Sequence, residues 1–300
     1  MELTRRAAAW CSGGSFIDVS EDRIFVREGP GGTSAVGPSL LFLHGYPTSS
    51  YDYLRLFDML PGRLLLTFDF LGFGLSDKPP DRVYSLFRQA DLVETIASRC
   101  FGDEPFILVA HDMATSVATE LLARAVEGRG RLALSAVLLL NGSMVLDQAS
   151  LTVSQKILRG PLGPTFARLS FPALFRAQLA RIFSADHPLT RDEADDAWSL
   201  LAHKQGNRIL DRLTYYLHER VRHRDRWLSA LRDWPGRLEL AWAMRDPVCT
   251  ARVLDAVRAL RPHVPLTRFP TLGHYPQLED PSAVAGVVRM LADSVGAVRR

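Results

Sequence analysis

Phe106-Ile-Leu-Val-Ala-His-Asp-Met-Ala-Thr115 is the stretch on which the reading of this chain turns. An apolar run stops abruptly at His111-Asp112, and a helix-like pattern begins. Ala110 and Ala114 flank Asp112 at two positions on either side. A buried strand that turns sharply into a helix holds its turn residue in a strained conformation, and small residues at those two positions let strand and helix pack closely. The turn residue then points out at the top of a sheet. In the common form of this elbow it is a serine; an aspartate offers a carboxylate, which attacks saturated carbon where a serine attacks acyl carbon. Taken alone, Asp112 reads first as the N-cap of the following helix.

Upstream of the elbow, Ser39-Leu-Leu-Phe-Leu-His-Gly-Tyr-Pro47 has the length of a buried strand and stops at His44-Gly45. A helix over 50–60 follows, then a strand over 64–70, the glycine-rich loop 71–79 and a helix over 84–100. The loop lacks both the P-loop lysine pattern and G-x-G-x-x-G, so it reads as a structural turn. Residues 1–37 read as a short strand pair leading into the turn Gly29-Pro-Gly-Gly32. Downstream lie a helix over 113–125, closed by Gly128, and a strand over 133–140 that ends at Asn141-Gly142. This alternation predicts an α/β fold with a mostly parallel, doubly wound sheet.

After Gly142 the alternation stops. Residues 143–232 read as mostly helical, with one marked helix: Thr190 and Glu193 form a capping box, Ala194, Trp198 and Leu201 an apolar face, and Gly206 the terminator. Strand 237–244, helix 250–260, strand 266–269 and helix 281–298 resume the pattern, the last with Asp280 as N-cap. The expected organisation is a core over 1–142 and 233–300 with an inserted helical cap over 143–232.

Composition narrows the class. Three hundred residues, 47% of them hydrophobic, support a sizeable core, and the net charge of +3 carries no nucleic-acid footprint. The basic stretch 218–232 interleaves Glu219 and Asp225 with Arg220, Arg222, Arg224 and Arg226, and reads as a solvated helix face. Cys11, Cys100 and Cys249 are odd in number and in no metal-ligand spacing, which predicts no disulfide framework and no metal or cofactor. The apolar run behind Arg5-Arg6 is too short for a signal peptide, and 132–146 falls short of a membrane span. A cytoplasmic protein acting on a small molecule, without nucleic-acid or membrane partners, is the expectation; a homo-oligomer is left open.

In open α/β sheets, sites lie outside the carboxyl ends of the strands. Four such ends carry polar features here: His44-Gly45-Tyr46, Asp112, Asp246 and His274. Each has a modest alternative: His44-Gly45 can tighten a turn, Asp246-Pro247 can open one, and a loop histidine can be idle. Together they hold nucleophile, acid and histidine in one productive order. Asp112 would attack carbon and become an ester, His274 would activate the water that cleaves it, and Asp246 would fix the histidine tautomer. Backbone N–H groups of Tyr46 and Met113 would face the oxyanion, with His44, Gly45 and His111 in support.

His44-Gly-Tyr-Pro-Thr-Ser-Ser50, Asp69-Phe-Leu-Gly-Phe-Gly-Leu-Ser-Asp-Lys-Pro79, Ala110-His-Asp112 and Gly273-His-Tyr-Pro-Gln-Leu-Glu-Asp-Pro281 resemble the α/β-hydrolase superfamily. They are most similar to its mesoderm-specific-transcript branch, near the epoxide hydrolases and haloalkane dehalogenases. The resemblance runs from Arg23 to the last helix. It implies an Asp nucleophile. Dehalogenases of this superfamily hold the departing halide with a tryptophan after the nucleophile and often an asparagine after His-Gly; those positions here are Met113 and Tyr46, and the fluoroacetate type's arginine is also replaced by Met113. Epoxide opening needs a proton donor above Asp112, in the family a pair of cap tyrosines. Tyr216 matches the second by its placement before Asp246, whereas the segment 170–175 offers only phenylalanines for the first. The resemblance therefore implies an epoxide hydrolase, with a dehalogenase or a ligand-binding protein of little turnover as alternatives. For Tyr216 a plain core role is the competing reading.

Overall fold

Strands buried on both faces need continuous apolar runs, and this chain supplies them in order. In the computed structural model, which describes residues 2–29 and 37–298, the strands are β1 (Ser15–Val19), β2 (Asp22–Glu28), β3 (Ser39–Leu43), β4 (Leu65–Phe68), β5 (Phe106–His111), β6 (Leu134–Leu140), β7 (Leu238–Ala243) and β8 (Leu266–Phe269). They form one sheet in the order β1-β2-β4-β3-β5-β6-β7-β8. β1 and β2 pair antiparallel, as do β2 and β4; every other neighbour is parallel. Every residue of β4 and β5 is buried. The turn expected at Gly29-Pro-Gly-Gly32 lies, from Pro30 on, outside the described residues.

Helix α1 (Arg5–Ser12) precedes the sheet, while α2 (Leu54–Met59), α3 (Leu86–Phe101) and α4 (Met113–Val126) follow β3, β4 and β5 in turn. Between β6 and β7 the chain runs through α5 (Val153–Leu158), α6 (Gly163–Arg168), α7 (Pro172–Ala180), α8 (Arg191–Ala202), α9 (Leu210–Leu213), α10 (Tyr216–Arg222) and α11 (Arg224–Asp233). α12 (Ala251–Leu260) links β7 to β8, and α13 (Pro276–Glu279) and α14 (Pro281–Val298) close the chain. The Asp280 carboxylate accepts the Ala283 N–H at 3.0 Å, as an N-cap should.

The helical insertion is bolted to the sheet domain by buried polar groups. Glu219 on α10 accepts the Ser85 hydroxyl at 2.5 Å and the Leu86 N–H at 2.6 Å, so it occupies the N-terminus of α3. Glu120 on α4 accepts Arg124 Nε at 2.9 Å and the Trp227 indole N–H at 2.8 Å, and Arg226 of α11 closes on the same carboxylate.

Three local expectations are corrected. Residues 5–12 are helical rather than part of a strand pair: Thr4 caps the helix, Trp10 is buried, and Arg6 and Thr4 both bond Asp196 of α8. α8 has its capping box at Thr190 and Glu193 but ends at Ala202; a 3₁₀ segment over His203–Ile209 follows, with Lys204 and Gln205 in left-handed conformations and Gly206 inside it. The stretch 218–232 is not a uniformly solvated face, because Glu219, Arg220 and Trp227 are buried. Among the described residues no helix is long and apolar enough to cross a membrane.

Candidate active site

β5 delivers Asp112 to a backbone conformation of φ 48° and ψ −113°, in the left-handed half of the map that non-glycine residues avoid. Ala110 and Ala114 are fully buried beside it. The Asp112 side chain makes no capping bond to α4. Its Oδ2 instead accepts the Tyr46 N–H at 3.0 Å, so the helix-cap reading gives way to a carboxylate turned toward the β3 loop. Gly45 is what lets that loop approach: a Cβ there would lie 2.6 Å from Asp112 Cβ and 2.9 Å from Oδ2.

His274 follows β8 and is 2% exposed, with Nε2 3.9 Å from Asp112 Oδ1 and Nδ1 2.8 Å from Asp246 Oδ2. Burial pulls the imidazole toward neutrality, yet the Asp246 carboxylate outweighs it, and Asp112 and Glu279 add to the same side. The result is a pKa raised from 6.5 to about 9. Burial alone would raise the Asp246 carboxyl, but His274 and two backbone donors hold it below its usual value. Those donors are Val248 N–H at 2.7 Å and Cys249 N–H at 3.0 Å, both to Oδ1.

A residue that sequence reasoning took only for a strand end completes the acid. Asn141, itself at φ 39°, donates Nδ2–H to Asp246 Oδ2 at 2.8 Å while its own Oδ1 accepts the Ala243 N–H at 2.8 Å. The amide is thereby oriented, with its donor end on the carboxylate. The positive φ shared with Asp112 would have been the structural clue; the Asn-Gly pair was its trace in sequence. Asp246, Cys249 and His274 also place potential metal ligands within 4.8 Å of one another. Their chemistry is already satisfied internally, since the Asp246 oxygens accept His274, Asn141 and two backbone N–H groups.

The supporting histidines are braces. His44 Nε2 accepts the Phe70 N–H at 3.0 Å, so its Nδ1 carries the proton and donates to the Gly45 carbonyl at 2.9 Å. Burial lowers its pKa against the opposing pull of Asp69, which keeps the ring neutral. His111 lies 2.7 Å from the His274 carbonyl through Nε2, and Gln277 Nε2 meets its Nδ1 at 3.2 Å. Burial, with the nearby His274 charge, lowers His111 to about 4, so a neutral ring pins the His274 backbone.

Tyr46 does more than its backbone suggests. Its side chain lines a cavity that also contains Asp112 and His274, and its hydroxyl has no protein hydrogen-bond partner among the described residues. Tyr216 packs against it, ring centroids 5.7 Å apart, and accepts the Gln155 Nε2–H at 3.1 Å. Tyr216 is fully buried and is not itself in the cavity wall, whereas Gln155 is. Burial raises both phenols above their usual pKa, and Asp112 is among the charges that add to it. Met113 opens α4, where the first N–H has no intrahelical acceptor, and is buried beside Asp112.

Behind the elbow lies a guanidinium that the sequence reading left in solvent. Arg220 is 2% exposed and donates to Ser116 Oγ at 2.7 Å, to the Ser143 hydroxyl and to the Asp112 carbonyl at 3.3 Å, with its charge 4.6 Å over the Tyr216 ring. No carboxylate pairs with it among the described residues. A buried cation without a counter-ion is costly and favours negative charge nearby.

The cavity has a volume of about 550 Å³. Its polar floor is Asp112, Tyr46, Gln155 and His274; its walls, drawn from the helical insertion, include Leu151, Ile157, Phe166, Phe175, Ile182 and Trp198. An apolar molecule therefore meets mostly apolar walls, with its reacting end against the polar floor.

With this geometry in place, the relatives can be set beside it. The family model described as "alpha/beta hydrolase fold" matches residues 38–281. The chain is 48% identical over 276 residues to "Putative hydrolase LipZ" of Mycobacterium tuberculosis, covering 92% of this chain and 94% of the relative. It is 32% identical over 290 residues to the mesoderm-specific transcript protein of Mus musculus, covering 93% and 86%. Among solved structures, haloalkane dehalogenase DbeA from Bradyrhizobium elkani superimposes with a TM-score of 0.77 at 22% identity, covering 95% of this chain and 99% of the other, a likeness of fold.

Proposed function

This chain belongs to the α/β-hydrolase family, and from that premise we propose that it opens a small, mostly apolar epoxide through an alkyl ester on Asp112. What carries the reading is an aspartate at the elbow whose carboxylate turns to the Tyr46 N–H and His274, with two tyrosines packed against each other beside it. A serine there would have pointed to acyl transfer; a carboxylate takes an sp³ carbon.

Asp112 attacks the less hindered epoxide carbon, forming a C–O ester bond as the ring C–O bond breaks. The alkoxide takes a proton from a phenol, Tyr46 from the cavity wall with Tyr216 behind it. The first donor, which segment 170–175 does not offer, is thus supplied by the residue after His44-Gly45. Phenols whose own ionisation is suppressed by burial remain protonated and serve as donors. Forming the ester removes one of the anions that hold His274 protonated, and His274 returns a proton to the phenolate. Neutral His274 then takes a proton from water, and hydroxide adds to the Asp112 carbonyl. The Tyr46 N–H and the Met113 N–H face the oxyanion, which collapses to release the diol and restore the carboxylate. The net change is addition of one water.

Single turnover in ¹⁸O water tests this: label is expected in the Asp112 carboxylate and not in the first diol released. Product formed with Asp112 unlabelled would overturn it. Halide release from haloalkanes, without epoxide turnover, would instead assign dehalogenation; tight ligand retention with neither reaction would assign binding.

A further inference from the structure

We propose that the face of the insertion carrying α5, α6 and α7 docks on an anionic lipid bilayer and admits the substrate from it. Four large apolar side chains stand exposed within this one segment: Val153 at 68%, Leu162 at 69%, Leu169 at 68% and Phe171 at 53%. Leaving four such groups in water serves no purpose in the isolated chain, and large apolar side chains left uncovered together mark contact surfaces. Three of them adjoin the cavity. Val153 both lines the cavity and is exposed, and Ser170, another lining residue, is flanked by Leu169 and Phe171.

Charge selects the occupant. Between Asp147 and Asp186 the sequence has no acidic residue and five basic ones, Lys156, Arg159, Arg168, Arg176 and Arg181. The bordering acids are engaged elsewhere, Asp147 with Arg224 at 2.6 Å and Asp186 with Arg245 at 2.7 Å. Arg176 alone has an ion pair, a long one of 3.8 Å to Asp195; the other four have none among the described residues. Closely paired arginines, such as Arg6, Arg55 and Arg226, lie outside this segment. Exposed apolar groups interleaved with unpaired cations match the boundary between acyl chains and anionic headgroups, where each cation near the surface contributes roughly a fivefold gain in affinity. A second copy of this chain would have to bring like charge against like charge. The attachment is peripheral, and it sets the apolar wall of the cavity continuous with the lipid phase.

Flotation of the full chain with vesicles of phosphatidylglycerol and phosphatidylcholine, against phosphatidylcholine alone, provides the test. Binding to the anionic vesicles is expected to exceed that to neutral ones on the order of 100-fold and to weaken as salt rises. The exposed double variant Leu169→Glu/Phe171→Glu is expected to bind at least about tenfold more weakly, while Met290→Glu, at an exposed position of α14, binds as the wild type does. Circular dichroism confirms folding of each. Equal binding to both vesicle types, or undiminished binding by the double variant, overturns the proposal. So does a dimer in lipid-free sedimentation that the double variant dissociates, since that assigns the face to a second copy. Asp112→Asn should float unchanged, which keeps this result separate from the fate of the epoxide mechanism.

Discussion

Replacing Asp246 with asparagine tests the charge arrangement of the site without any knowledge of the substrate. The carboxylate holds His274 Nδ1 at 2.8 Å, and both groups are buried, so solvent screens the pair little. Between the ordinary 6.5 and the folded value of about 9 lie roughly two and a half decades of proton affinity, about 3 kcal/mol. A raised pKa stabilises the fold fully below pH 6.5, and that contribution disappears as pH climbs through about 9. In Asp246→Asn, burial is no longer opposed by its main counterweight and the histidine titrates much lower. The stability advantage of wild type over variant, measured by urea unfolding, should therefore be about 3 kcal/mol larger at pH 6 than at pH 9.5. Groups common to both proteins cancel. The asparagine NH₂ would also face Nδ1 and invert the tautomer, so turnover should fall by something on the order of 10⁴, as in other triads so altered. An advantage of equal size at both pH values would refute the argument that Asp246 sets the charge on His274.

Gly45→Ala places a methyl 2.6 Å from Asp112 Cβ, against an anchored turn; it should cost about 1–3 kcal/mol in unfolding experiments and most of the activity, with substrate affinity less affected. Tyr46→Phe and Tyr216→Phe should each slow ester formation on epoxides, by about 10² for the principal donor, with no ester accumulating. His274→Gln should do the opposite, adding the substrate's mass to the chain in intact mass spectrometry; an unmodified chain would count against the two-step route. Arg220→Met strips donors from Ser116, Ser143 and the Asp112 carbonyl, and should destabilise by about 1–3 kcal/mol. Arg220→Lys should restore little of this, because one ammonium cannot reach three acceptors.

How far the sequence reached depended on whether a signal was local. β5 and β6 are continuous apolar runs because both their faces are covered, so their ends, and hence Asp112 and Asn141, could be located by inspection. Asp246 and His274 were found in the same way, as polar residues just beyond such ends. α1 was missed because its helix is fixed by distant partners: Trp10 is buried, and Thr4 and Arg6 reach Asp196, some 190 positions away in sequence. Arg220 looked like its solvated neighbours because burial of a charge is decided by what packs over it, here Ser116, Ser143 and Tyr216. The Tyr46 side chain went unused since its backbone N–H already had a role, and the cavity that Tyr46 lines is built mostly from residues over 100 positions downstream.

Glu219 sits at the N-terminus of α3, and Glu120 gathers Trp227 and Arg226. What reads along the chain as an accessory is in consequence a structural tenant of the sheet domain, whose removal would strip one carboxylate from the start of α3 and two donors from the buried Glu120. Transplanting the insertion from a relative would succeed only where the incoming segment brings an acid to meet position 85 and an indole to meet position 120. The two halves of the molecule are therefore constrained to vary together along their seam, even where their outer surfaces diverge.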